Sequence, residues 1–304
     1  MPSPGRYLTA LLATILPLVL SAQEPGIRQI RVGNLKVTAL LDGQVPLGKE
    51  LLKGLEPEEA EAMLGGPEPT ATSVNAFLVD TGKHRILVDA GGTSSWGLGH
   101  LAERLQKAGI KPESIETVLI THLHGDHFGG LLTPEGKRAF PRAQLRLSQI
   151  EHDYWTAPAT EASLPEARRP IIKALKAMIA VYQSEGAYHP FAPGEAPCPG
   201  VQAIPTPGHT PGHTSYAFGQ GKHAFWAIGD LVHFGRIQFA KPEVTVSFDT
   251  DSPKAAATRQ ALWERAAREK VLIGGSHLAF PGLGQIKKAG QGFIWTALKG
   301  KARR

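Results

Sequence analysis

Cysteine is nearly absent: Cys198 is the only one in 304 residues, so no intrachain disulfide can form. It lies in the loop Ala196-Pro197-Cys198-Pro199-Gly200, away from any paired-thiol motif. None stands near the N-terminus, which excludes a lipoprotein. A membrane-length apolar run is also missing there: the run over residues 8–20 is short of the ~20 residues that span a bilayer. A basic stripe is missing as well. The formal charge is +6, but Lys299, Lys301, Arg303 and Arg304 cluster at the C-terminal tip and Arg6 lies near the start. The body between them is close to neutral, which argues against a dedicated nucleic-acid surface. No short-period repeat or low-complexity tract is visible.

What is present is an ordinary globular balance, with 42% hydrophobic and 20% charged residues, and an unusual number of histidines, 12. The 34 glycines and 24 prolines favour short strands and turns over long helices. At the N-terminus, Arg6, the apolar run and the small residues Ser21 and Ala22 read as an export signal, with an uncleaved anchor as the alternative. The expectation is a signal peptide over residues 1–22 and a periplasmic or secreted mature protein. Residues 23–304 then form one domain with an N-terminal extension, with no stable membrane association after cleavage.

Short β-like runs alternate with helical stretches. Residues 74–79 and 85–89 read as a hairpin across Thr81-Gly82-Lys83. Residues 99–109 carry apolar positions at helical spacing, and 116–121 read as a buried strand. Residues 144–148 alternate like a strand. Residues 165–186 predict a longer helix with Ile171, Leu175, Met178, Ile179 and Tyr182 on one face. Residues 201–204 predict a strand, and 214–218 with 223–228 a second hairpin. A helix capped by Ser252, with Pro253 first, runs to about Lys270. Residues 271–274 predict a last strand, while 23–66 and 187–200 read as loop-rich. Each polar cluster falls just past a predicted strand, where α/β folds place their sites.

The densest cluster is Thr121-His122-Leu123-His124-Gly125-Asp126-His127. His122 and His124 are two apart on an extended segment, so their rings point the same way. Gly125 lets the chain turn and present Asp126 and His127, and Phe128 to Leu131 open a helix. Four nitrogen and oxygen donors in six residues is metal-site density, suited to zinc and also to manganese, iron or cobalt.

The pattern His122-x-His124-x-Asp126-His127 resembles the signature of the metallo-β-lactamase superfamily, which implies an α/β fold: an αββα sandwich of two mixed β-sheets flanked by helices. Thr206-Pro207-Gly208-His209-Thr210-Pro211-Gly212-His213, Gly229-Asp230 and Ser276-His277 resemble the further motifs of that family. The segments 237–251 and 276–286 are similar to those of methyl parathion hydrolase and its lactonase-like relatives. By that resemblance, two divalent metal ions, zinc first among the candidates, are held by His122, His124 and His209 and by Asp126, His127 and His277. Asp230 and a nucleophilic hydroxide bridge them, and Asp126 doubles as the catalytic proton acceptor. His213 is implied to be structural. His233, Trp155, Phe234 and Phe280 are candidate pocket walls, His233 alternatively being a surface residue and the three aromatics core residues. His84, His100, His152, His189 and His223 show no site logic.

The implied function is an exported hydrolase of uncharged lactones or esters, with phosphotriesters as side substrates and a homodimer carried over from the relatives. The partner is a small molecule. A β-lactamase is the rival, weakened by the bridging aspartate; an iron redox protein is disfavoured because His124 stands where those relatives carry glutamate. A nuclease is disfavoured by the neutral body, and a non-catalytic binder by the filled ligand positions.

Overall fold

Alternating side chains along the strands separate three apolar layers. The computed structural model describes residues 24–66 and 70–298. In chain order, β1 (Ile27–Val32) and β2 (Leu35–Leu47) pair as a hairpin, and β3 (Leu52–Lys53) departs from the sheet. Then come β4 (Thr70–Asp80), β5 (Arg85–Val88), β6 (Thr117–Leu119) and β7 (Gln144–Arg146). The second half contributes β8 (Val201–Pro205), β9 (Thr214–Phe218), β10 (Phe225–Ala227), β11 (Thr245–Val246), β12 (Leu272–Gly274), β13 (Leu283–Ala289) and β14 (Gly292–Ala297). The two large sheets run β1-β2-β4-β5-β6-β7 and β14-β13-β12-β10-β9-β8, and β3 pairs with β11 in a small ribbon.

Phe77, Val79, Ile86 and Val88 of the first sheet share one buried cluster with Tyr216, Phe218, Phe225 and Ala227 of the second. Their neighbours Ala76, Leu78 and Leu87 face the other way, onto the helices Leu101–Lys107 and Arg169–Ser184. Ala217 and Trp226 likewise face Leu262, Trp263 and Ala266 of the helix Ser252–Glu269. Period-two alternation with both faces apolar is what a sheet covered on both sides requires. The result is the expected αββα sandwich.

Parallel pairing sets where the site lies. β5, β6 and β7 are mutually parallel, as are β10 and β12. Such strands need crossovers and end on one edge, so the loops after β5, β6, β10 and β12 gather there.

Several local expectations change. Residues 23–66 are not loop-rich: they hold β1, β2 and the helix Pro57–Leu64. β2 carries a register shift between Leu41 and Gly43 that interrupts its alternation and obscures it as a strand. β12 is not the last strand, because β13 and β14 follow as an antiparallel hairpin. The long helix begins at Arg169 after a 3-10 turn over Glu166–Arg168, and its core face uses Ile172, Ile171 being only half-buried. Asp251, not Ser252, caps the helix Ser252–Glu269, its carboxylate accepting from the Lys254 amide at 3.0 Å. The helix after the histidine segment starts early, at Gly125, and spans Gly125–Phe128. The expected signal peptide lies outside the described residues. Among those residues no helix is long and apolar enough to cross a membrane.

Candidate metal centre

His122, His124, Asp126 and His127 follow β6, His209 follows β8, Asp230 follows β10 and His277 follows β12. The fold brings all seven together. Ligand atoms of His122, His124, His209 and Asp230 lie within 4.8 Å of one another, as do those of Asp126, His127 and His277. A third group, Asp230, His233 and His277, meets the same distance.

Hydrogen bonds on the outer edge of the rings decide what faces inward. His127 donates from Nδ1 to Asp89 Oδ2 at 2.8 Å, and His209 from Nδ1 to Asp249 Oδ1 at 2.9 Å. His277 donates from Nδ1 to the Ser73 carbonyl at 3.1 Å. The Thr121 hydroxyl donates to Asp89, leaving its oxygen to accept from His122 Nδ1 at 3.1 Å. Those bonds put a ring proton on Nδ1 at the outer edge and turn the Nε2 atoms inward. All four Nε2 atoms turn toward Asp230: His122 at 3.5 Å, His209 at 3.3 Å and His277 at 3.1 Å from Oδ2, and His127 at 3.1 Å from Oδ1. His122 Nε2, His127 Nε2 and Asp230 Oδ1 are buried without a hydrogen bond. Buried polar atoms are rarely left so, and imidazole nitrogens aimed at a carboxylate form the donor set of a divalent cation. The residues fit the metals that the sequence implies.

Charge is unevenly shared in this cluster. Burial drives His122 and His124 well below the usual imidazole range, reinforced by neighbouring histidines. Burial also opposes charge on His127, but Asp230, Asp126 and Asp89 outweigh it and hold its pKa well above 6.5. Burial disfavours the Asp230 carboxylate, yet the positive field of His127 and His277 keeps its pKa well below 3.8. Asp230 is therefore an anionic point ringed by imidazoles, with His127, His209 and His277 held toward the charged form and His122 and His124 toward the neutral one.

His213 lies behind the site. Its Nδ1 donates to Thr206 Oγ1 at 2.8 Å, and its Nε2 accepts the Asp230 amide at 3.0 Å. Burial pushes its pKa down to about 3, which keeps the accepting nitrogen neutral. Gly229 supports this contact: its φ is 54°, and a Cβ there would strike the His213 ring.

A cavity of about 1200 Å³ opens onto the centre, with His124, Asp126, Asp230, His233 and His277 in its wall. Farther out, Trp96, Leu132, Phe140, Trp155, Ile171 and Met178 make it mostly apolar. Of the four candidate walls, Trp155 and His233 line it. Trp155 meets His124 edge-on, centroids 5.5 Å apart. His233 is no surface residue: it is buried, stacks on His277 at 4.8 Å and sits 3.2 Å from Asp230 Oδ2. Phe234 instead packs with Leu52, Ile237 and Val246, and Phe280 against the core between the sheets. Both aromatics gain more by burial in those clusters than at a solvent-filled wall.

Three supporting acids escaped the sequence reading. Asp89 stands one residue past β5, the same strand-end position as the ligands, and that rule could have found it. Asp249 has no local motif; besides His209 it accepts from the Val246 amide at 3.1 Å and faces the buried Arg259 guanidinium at 3.8 Å. Glu151 is also without one, lying in the helix Gln149–Thr156. Asp249→Asn is expected to weaken divalent-metal binding ~10–100-fold, because His209 loses the carboxylate that aligns its ring. Competitive titration against a chromogenic chelator reads this directly; unchanged affinity would mean that His209 orients without it.

Residues 69–277 match the metallo-beta-lactamase superfamily model. A solved structure of AbOPH, a hydrolase in the beta-lactamase superfamily, superposes with a TM-score of 0.84 at 33% identity, covering 92% of this chain and 100% of that one. AidC, a dizinc quorum-quenching lactonase solved with N-hexanoyl-L-homoserine as product, gives 0.83 at 28% identity over 91% and 99%. The N-acyl homoserine lactonase of Bacillus cereus is 26% identical over 172 residues, 56% of this chain and 58% of that protein. The aligned part thus spans less than two thirds of that relative.

Proposed function

The chain belongs to the metallo-beta-lactamase superfamily and is a metal-dependent hydrolase, and from that premise we propose that it opens uncharged lactones or esters at a two-metal centre. His122, His124 and His209 would hold one cation and Asp126, His127 and His277 the other, with Asp230 shared. Zinc is the first candidate, and manganese, cobalt or iron also suit the donor set. The observation that carries this reading is the convergence of four Nε2 atoms on Asp230 at the floor of a mostly apolar cavity. When bound, a pair of divalent cations polarises the attacked carbonyl and makes water a nucleophile at neutral pH.

The chain's own residues then have distinct tasks. Asp126, with 23% of its side chain accessible, borders the cavity and can carry a proton between the reacting group and solvent. The apolar wall formed by Trp155, Ile171 and Phe140 excludes water and favours an uncharged substrate over a phosphodiester. The likeness to AidC and to the Bacillus cereus lactonase supports a lactone as the preferred substrate. Phosphotriester hydrolysis fits the same centre as a side activity. We extend the proposal to export through residues 1–22 and to a homodimer, tested by N-terminal sequencing of the mature protein and by light scattering.

One preparation reconstituted with zinc or manganese and assayed against lactones, aryl esters, phosphotriesters and β-lactams tests the reading. Lactones are expected to give the highest kcat/KM, with phosphotriesters detectable but slower. A β-lactam turned over as fast as the best lactone would reassign the enzyme.

A further inference from the structure

Glu151 is a carboxylate with no solvent exposure and no counter-ion among its hydrogen-bond partners, and each of its oxygens serves a different loop. Oε1 accepts from the Leu123 amide at 2.9 Å, between His122 and His124, and from Trp155 Nε1 at 2.7 Å. Oε2 accepts from Thr210 Oγ1 at 2.7 Å and from the Gly212 amide at 3.0 Å, in the loop that carries His209. Four donors satisfy one buried carboxylate. The two loops come from different sheets, after β6 and after β8.

The fit is tight on the backbone too. A Cβ on Gly212 would run into the backbone nitrogen and Cα of Glu151, so that position must be glycine for the helix and the loop to meet. Burial holds the Glu151 carboxyl above its usual range, against the downward pull of its four donors. Within this frame His124 Nδ1 and His209 Nε2 sit 3.0 Å apart, and Trp155 braces the His124 ring.

We infer that Glu151 is a positioning residue for the first metal site: its two oxygens set the distance between the His122–His124 segment and His209. The assignment rests on the two-metal reading above and adds a residue that touches neither substrate nor ligand nitrogen. Glutamine is the informative replacement. It keeps the shape but offers one acceptor and one NH2 group, so one of the two loops must face donor against donor. Aspartate keeps the charge but is one methylene short and cannot reach both loops.

The test is stepwise removal of zinc from the full chain by a competing chelator, comparing wild type, Glu151→Gln and Thr210→Val. His209→Ala identifies which step belongs to the first site. Glu151→Gln is expected to weaken that step ~10–100-fold, the range for lost support of a metal ligand, with the other step nearly unmoved. Thr210→Val removes one donor of four and should shift the same step by less; it carries the test if Glu151→Gln does not fold. Thermal unfolding of the metal-free variants is recorded in parallel. Two unmoved steps would overturn the assignment. So would equal weakening of both steps with a lowered metal-free midpoint, which marks a general lesion. A wild type that binds no divalent cation would instead overturn the two-metal reading itself.

Discussion

Asp230→Ala is expected to lower kcat/KM for the best lactone by on the order of 10³-fold or more, the scale at which a preorganised electrostatic element is lost. No other side chain in the centre is shared as widely. Nε2 atoms of His122, His127, His209, His233 and His277 all lie within 3.5 Å of its carboxylate. Its removal leaves Asp126, at the cavity edge, as the only carboxylate among the proposed ligands. Metal content should fall with activity, below two ions per chain by elemental analysis. Asp230→Asn is the finer version, since it keeps the volume and removes the charge. Either variant retaining two ions and activity within tenfold of wild type would show that Asp230 is not the shared ligand.

Chelation should have a still broader effect. Dialysis against a strong chelator is expected to reduce hydrolysis to background, and added zinc or manganese to restore it. His127 Nε2, His122 Nε2 and Asp230 Oδ1 are buried without hydrogen bonds, and a cation would satisfy them electrostatically. Metal that binds only the folded chain also stabilises it, by ~2.7 kcal/mol at a free concentration one hundred times Kd. The thermal midpoint should therefore fall with the activity and recover with it. Full activity in protein stripped of metal, verified by elemental analysis, would defeat both the cofactor assignment and the proposed chemistry.

The convergence of these side chains was legible because parallel strands deliver their polar ends to one edge, and each motif stood directly after an apolar run. His122, His209, Asp230 and His277 all obey that rule. The sandwich was legible for the same reason: residues such as Phe77, Leu78 and Val79 alternate between two apolar faces. What escaped has a different physical origin. β2 is broken by the shift at Leu41 and Gly43, which places Asp42 where it accepts the amides of Gly92, Gly99 and Leu101. Asp249 and Glu151 act across sequence separations of 40 and 59 residues, on His209 and Thr210, and no local pattern announces such partners. Phe234 and Phe280 enter apolar clusters and not the cavity wall, because aromatic character does not say which apolar layer a ring will enter.

The donors divide between the two sheets. Four come from the loop after β6 and three from loops after β8, β10 and β12, so the centre is assembled from residues 122 to 277. A nascent chain that has made only the first sheet has half a coordination shell, and its affinity for a cation is correspondingly poor. Metal capture is then a late event, following the long-range pairing that slows folding of such topologies. The same division works in reverse on release: opening either sheet alone suffices to let the cations escape, so the slower of the two openings never limits metal loss. Exchange of bound metal should thus report the less stable half of the molecule.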